Sequence, residues 1–274
     1  MKTSRIIFSL LFIFAITFTS CEKAEDGNEV VSTKAVQEEA VADILWNTID
    51  ADVDYVSDLM GSKGYKSVTD TCPLIIVEHP DSVFFPRRVI IDYGDGCETY
   101  HGRIKSGKIV ISISSPLHIE GSTRTITLED YYINNHHIEG TKILTNKGFN
   151  DMGNMNWDVQ LRSGQITFPD GGISTRVMNH NREWITGIET PRYWWDDQWH
   201  ITGTANGSNI DGVSYNNTIS RPVLVKSVCR FPVSGIIDMD ITDVGTMVFN
   251  YGDGACDNEA TIVFGDRTWT IELR

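Results

Sequence analysis

From about residue 67 onward the hydropathy of this chain repeats every second residue, a period that belongs to strands and not to helices. Val159 and Leu161 alternate with polar neighbours, Ser163-Gly164 reads as a turn, and Ile166 and Phe168 resume the alternation, as in a hairpin. Asp170-Gly171-Gly172, Asn206-Gly207, Asp211-Gly212 and Gly265-Asp266 are further turn signals. They separate short runs rich in Thr, Ile and Val, such as 124–128, 223–228 and 261–264. The expectation is an all-β fold, an antiparallel body over residues 67–274 built from about fourteen to sixteen short strands.

One stretch keeps a different period. Val36, Ala40, Ile44, Leu45, Ile49, Val53, Val56 and Met60 recur at steps of three and four, with Glu38, Glu39, Asp43, Asp50, Asp54 and Asp58 between them. That spacing predicts a single amphipathic helix over 34–61, stopped at Gly61, whose apolar stripe packs on a sheet.

Residues 1–20 read as a signal peptide. Lys2 and Arg5 open it, and the apolar run from Ile6 to Phe18 is too short to cross a bilayer core. The run ends in Thr19-Ser20-Cys21, which resembles a bacterial lipobox and implies a lipid anchor at Cys21, with the membrane as partner. Residues 21–33 are polar and acidic at the start, as expected of a flexible tether. The acidic patch after the cysteine is similar to the surface-export signal of Bacteroidota lipoproteins. The expected location is therefore the outer membrane, on the cell surface or the periplasmic face.

Lys+Arg totals 23 against 37 Asp+Glu, a formal charge of -14. Loss of Lys2 and Arg5 with the leader takes the mature chain to about -16, since -14 less two positive charges is -16. Such a chain lacks the cationic footprint that a phosphate backbone requires, so nucleic acid is excluded as a partner.

Two segments of the β-body resemble each other. Ile91-Asp92-Tyr93-Gly94-Asp95-Gly96-Cys97 recurs as Phe249-Asn250-Tyr251-Gly252-Asp253-Gly254-Ala255-Cys256. A cysteine stands 21 residues before the first tyrosine (Cys72) and 22 before the second (Cys229). A glycine follows each tyrosine by 14 residues, Gly107 and Gly265. The spacings predict two related units, about 72–115 and 229–274. With Cys21 acylated, four cysteines remain in an oxidising compartment, and of their three connectivities the repeat favours Cys72–Cys97 with Cys229–Cys256. Free thiols and a zinc site are the alternatives, although no pair has the close spacing that structural zinc shows.

Further segments follow one another in a familiar order. They include Gly102-Arg103-Ile104-Lys105-Ser106-Gly107, Ile138-Glu139-Gly140-Thr141-Lys142, Gln165-Ile166-Thr167-Phe168-Pro169-Asp170-Gly171 and Ile201-Thr202-Gly203-Thr204-Ala205. The chain closes on Tyr251-Gly252-Asp253-Gly254-Ala255-Cys256-Asp257-Asn258-Glu259-Ala260-Thr261. From Cys72 to the end the chain resembles a group of functionally uncharacterised envelope lipoproteins of Bacteroidota. The resemblance implies an envelope location and a β-rich fold, and it carries over no catalytic residue.

Three constellations invite chemistry. Asp92, Asp95 and Glu98, or Asp253 and Asp257, offer oxygen ligands for calcium, but Gly-Asp-Gly is equally good turn chemistry and the EF-hand spacing is missing. In Tyr193-Trp194-Trp195-Asp196-Asp197-Gln198-Trp199-His200 the rings of Trp194, Trp195 and Trp199 are candidate ligand-binding groups, with a glycan as candidate partner. On a strand Trp195 and Trp199 share one face, so packing accounts for part of that cluster. His136-His137 follow Asn134-Asn135 at an expected hairpin tip and point to opposite faces. No nucleophile elbow, zinc-protease motif or phosphate loop occurs, so no catalytic residue, metal or cofactor is assigned. The expected function is a non-catalytic structural or binding module of the envelope. The alternatives are a surface carbohydrate-binding lipoprotein and an envelope hydrolase of unrecognised type.

Overall fold

The computed structural model describes residues 27–61, 72–78, 85–99, 102–190 and 193–273, with the side chains of 27–35 and 58–61 outside that description. The leader, Cys21 and the first part of the tether lie outside the described residues. A helix, α1 (Gly27–Gly61), precedes fourteen strands. They are β1 (Leu74–Glu78), β2 (Arg87–Asp92), β3 (Cys97–Glu98), β4 (Ile104–Ile113), β5 (Thr123–Ile133), β6 (His136–Phe149) and β7 (Met155–Thr167). There follow β8 (Ile173–Thr186), β9 (Gln198–Ser208), β10 (Ser214–Lys226), β11 (Ser234–Ile241), β12 (Gly245–Asp253), β13 (Glu259–Phe264) and β14 (Arg267–Glu272). Residues 27–33, expected as tether, are helical.

All strands join one antiparallel sheet in chain order, with β3 a short branch on β4 and β1 and β14 at the ends of the order. Turn chemistry fixes the hairpins. Asn134 and Asn135, at φ 47° and 66°, form the two-residue β5–β6 connection whose twist matches the flanking strands. Gly265-Asp266 joins β13 to β14, and Asp170-Gly171-Gly172 and Asp211-Gly212 also lie in turns.

Two of the expected turns are corrected. Ser163-Gly164 lies inside β7, where the pairing with β8 slips between Leu161 and Gly164. The inward phase is Trp157, Val159 and Leu161 before the slip, and Gly164 and Ile166 after it. A bulge reverses phase just as a turn does, and it also bends the strand. Asn206-Gly207 lies inside β9. A Cβ on Gly207 would collide with the Thr175 carbonyl of β8, so the glycine permits a close backbone approach.

Bulges recur in β4, β5, β6, β10 and β11, and they add the bend that curls the sheet around α1. Val36, Ala40 and Ile44 of the helix pack with Ile237, Met247 and Phe249 from the late strands. Leu45, Trp46, Ile49, Val53 and Val56 pack with Ile91, Ile109, Ile126, Ile138 and Leu161 from the early ones. Gly140 of β6 leaves room for Trp46, since a Cβ there would lie 3.2 Å from the indole. The expected apolar stripe thus packs on the sheet. Its acidic neighbours are buried as well, because the sheet reaches around to the other side of the helix.

Cys72–Cys97 and Cys229–Cys256 are disulfides, closing separations of 25 and 27 residues. Loops of that size stabilise the fold by about 3 kcal/mol each, mostly by restricting the unfolded chain. Tyr93 and Tyr251, the tyrosines of the two similar segments, both point inward and are buried. Asp92 Oδ1 accepts the Gly94 N–H at 2.9 Å, and Asn250 Oδ1 accepts the Gly252 N–H at 3.0 Å.

Candidate functional site

Burying a carboxylate is costly unless a cation meets it, and here the sheet supplies those cations. Lys105 Nζ contacts both oxygens of Asp52, at 2.7 and 2.6 Å. Lys142 Nζ reaches Asp50 at 2.6 Å. Arg124 and Arg182 hold the two oxygens of Asp54, at 2.9 and 2.6 Å. Arg176 pairs with Glu39 and with Asp43, the latter at 2.8 Å. Tyr251 Oη donates to Asp43 at 2.9 Å, and Asn217 Nδ2 to Glu39 at 2.8 Å.

The titrations follow from this arrangement. Burial alone would raise the Asp54 carboxyl, but the two guanidiniums outweigh it and hold the group below the ordinary aspartate value. Burial, reinforced by Asp52, pushes the Tyr93 and Tyr131 phenols well above their usual range. His180 on β8 is pushed well below the ordinary histidine value by burial and by Arg176 and Lys142, so the imidazole is neutral.

A cavity of about 470 Å³ opens along the C-terminal half of the helix. That volume falls in the range of small-molecule sites, roughly 300–1,000 Å³. Its walls are Val56 and Ala51 of α1, Ile91 and Tyr93 on the early side, and Trp199, Ile201 and Val225 on the late side. Cys72 and Cys229 both line it, so the two disulfide-bearing segments meet at one site. Arg103, Lys105, Arg182, Lys226 and Arg230 bring positive charge to its surface, and Asp50, Asp52, Asp54, Glu98 and Asp197 bring negative charge. The sequence signal for the inward cations is their phase. Arg124 stands two residues before Ile126, Lys142 two before Leu144 and Arg176 two before Met178, each on the apolar side of its strand.

The tryptophan segment divides into three environments. Trp194–Asp196 form a single 3-10 turn, not a strand, so the expected sharing of a face by Trp195 and Trp199 does not hold. Trp199 on β9 is buried, stacks on Trp184 at 5.0 Å and meets Trp157 edge-on at 5.5 Å. The Arg182 guanidinium lies over the Trp199 ring at 3.8 Å. Trp194 is half-buried and lines the cavity. Trp195 is 52% exposed beside Tyr193, with ring centroids 4.8 Å apart.

The candidate calcium ligands serve turns and strands. Asp92 caps the Gly94 N–H and lies 3.2 Å from Lys108, and Asp257 accepts the Glu259 N–H. His136 Nδ1 lies 3.2 Å from the Ile133 carbonyl, and the ring of His137 stacks on Tyr132. Among the described residues no three His, Cys, Asp or Glu side chains come together as a metal site. In comparison with known proteins, the chain matches no family model, no curated protein and no solved structure.

Proposed function

We propose that this protein is a non-catalytic binding module of the bacterial envelope, held at the outer membrane by a lipid on Cys21, whose ligand enters the cavity between helix and sheet. The observation that carries the reading is the cavity itself, an opening of about 470 Å³ whose walls combine rings and aliphatic side chains with charged groups of both signs. The leader and the cysteine that follows it support the location.

Two measurements test it. Labelled palmitate should mark the wild-type chain and not Cys21→Ala; an unmarked wild type overturns the anchor. The uncharged dye Nile red should bind the purified protein saturably at one site. Ser227→Trp, which fills the cavity, should abolish that binding, and Trp195→Ala should leave it unchanged. Binding unaffected by Ser227→Trp would place the dye elsewhere and defeat the cavity reading.

A second reading has its own observation. Tyr193 and Trp195 form an exposed ring pair outside the cavity, the arrangement that stacks on a sugar face. A glycan array comparing wild type with Trp195→Ala decides it: no hit, or equal hits, ends that reading.

A further inference from the structure

The cations of the interior follow one rule with one exception. Lys105, Arg124, Lys142, Arg176 and Arg182 each meet a carboxylate of α1. Arg103, equally buried at 4% exposure, has no ion pair among the described residues. Its Nη2 donates to the Arg230 carbonyl at 3.3 Å, which ties the start of β4 to the β10–β11 connection. Its guanidinium lies 5.7 Å from the centre of the Phe231 ring, and that of Arg230 lies 5.2 Å from the same ring. Lys226 also lines the cavity and donates to the Gly254 carbonyl at 2.9 Å.

Two guanidiniums gathered on one ring, one of them buried, repel each other in a low-dielectric setting, and neither has a carboxylate partner among the described residues. Both oxygens of Asp52 are held by Lys105 and one also accepts from Tyr131, while Glu98, exposed on the same cavity, forms no ion pair with either arginine. Burial and the charge of Arg230 lower the Arg103 pKa to about 10, still cationic at neutral pH. An anion near both groups would relieve that repulsion, and planar guanidiniums suit the paired oxygens of a carboxylate or phosphate. Tyr93, Trp199, Ile201 and Val225 face the same space, where Asp52 and Asp54 are neutralised by Lys105 and Arg182.

We propose that the cavity takes an anionic amphiphile, its carboxylate or phosphate head between Arg103 and Arg230 and its apolar body along Trp199 and Val225. The proposal rests on the cavity being the binding site and adds the chemistry of its ligand. Displacement of Nile red from the purified protein at physiological salt separates the two. Dodecanoate and dodecyl phosphate, each below its micelle concentration, are compared with uncharged dodecan-1-ol and with acetate and inorganic phosphate.

At least one of the two charged chains should displace the dye at concentrations tenfold or more below dodecan-1-ol, and acetate and inorganic phosphate should not displace it. Loss of one charge-assisted contact corresponds to about tenfold in affinity. Arg230→Gln, at an exposed position, should therefore weaken the charged chain about tenfold and leave dodecan-1-ol unchanged. Arg103→Gln should do the same or more, with folding checked by circular dichroism. Equal competition by dodecan-1-ol, or an Arg230→Gln protein that binds the charged chain as the wild type does, overturns the anionic head while the cavity reading stands. Displacement by acetate or phosphate alone overturns the apolar body. Failure of Nile red to bind at all defeats both readings.

Discussion

Lys142 Nζ lies 2.6 Å from Asp50 Oδ2, joining β6 to the middle of the helix across 92 residues of chain, with the lysine side chain 1% exposed. The pair sits where the interface between a helix and a sheet would ordinarily place leucine and isoleucine. Removing one member strands the other in a medium that solvates it poorly. Lys142→Met should cost about 3–5 kcal/mol in urea denaturation, and Lys142→Met with Asp50→Leu should recover most of that loss. A single variant as stable as wild type would mean that water reaches Asp50.

Removal of the second disulfide should be felt globally. Cys229→Ser with Cys256→Ser should lower stability by about 3 kcal/mol, the value expected for closing a loop of that length. Intact mass under non-reducing conditions checks the starting state. A chain four hydrogens heavier than the doubly bridged form would refute both bonds.

His180 gives the fold a dependence on mild acid. Its folded pKa lies well below the ordinary value of 6.5, so between the two the unfolded chain binds a proton that the folded chain refuses. Stability from this group is complete above about pH 6.5 and is lost as the pH falls toward the folded pKa. Asp43, whose carboxyl is raised by burial, works in the opposite direction, losing its contribution as the pH rises through its folded pKa. The comparison of wild type with His180→Gln isolates the histidine. Between pH 7 and pH 5.5 the wild type should lose more stability than the variant, and parallel curves would show that His180 takes up its proton alike in the folded and unfolded chain.

The tryptophans should separate by environment. Trp199→Ala opens a hole against Trp157 and Trp184 and should cost about 3–5 kcal/mol. Trp195→Ala removes an exposed ring and should stay within about 0.5 kcal/mol of wild type by thermal denaturation. A large effect at Trp195 would place that ring in an interface.

The fold class was legible because antiparallel strands advertise themselves twice, by alternation and by turn residues. Asn134-Asn135 and Gly265-Asp266 show both. The helix was legible from its apolar steps, and the cysteine pairing from the repeated spacing around Tyr93 and Tyr251. What the alternation hid was curvature, because the phase reversal at Ser163-Gly164 looks the same for a bulge as for a turn. The ionic interior was hidden for a different reason. Asp50 and Lys142 each look like surface residues, and only the closing of the sheet around the helix sets them face to face. The cavity was out of reach of local pattern altogether, since its walls come from residues as distant in the chain as Val56, Tyr93 and Phe231.

The helix precedes every strand and ends up enclosed by them. Asp43 waits for Arg176, 133 residues later, and for Tyr251, 208 residues later. Contacts so far apart are slow to form, and the last of them exists only after β12 has been made. During synthesis the acidic segment therefore emerges without its counter-charges, soluble by virtue of the groups that are later sealed away. A β-body expressed without residues 27–61 would inherit the reverse problem, a curved sheet lined with cations that nothing neutralises. Helix and sheet share both their apolar core and their ion pairs, so each completes the interior of the other.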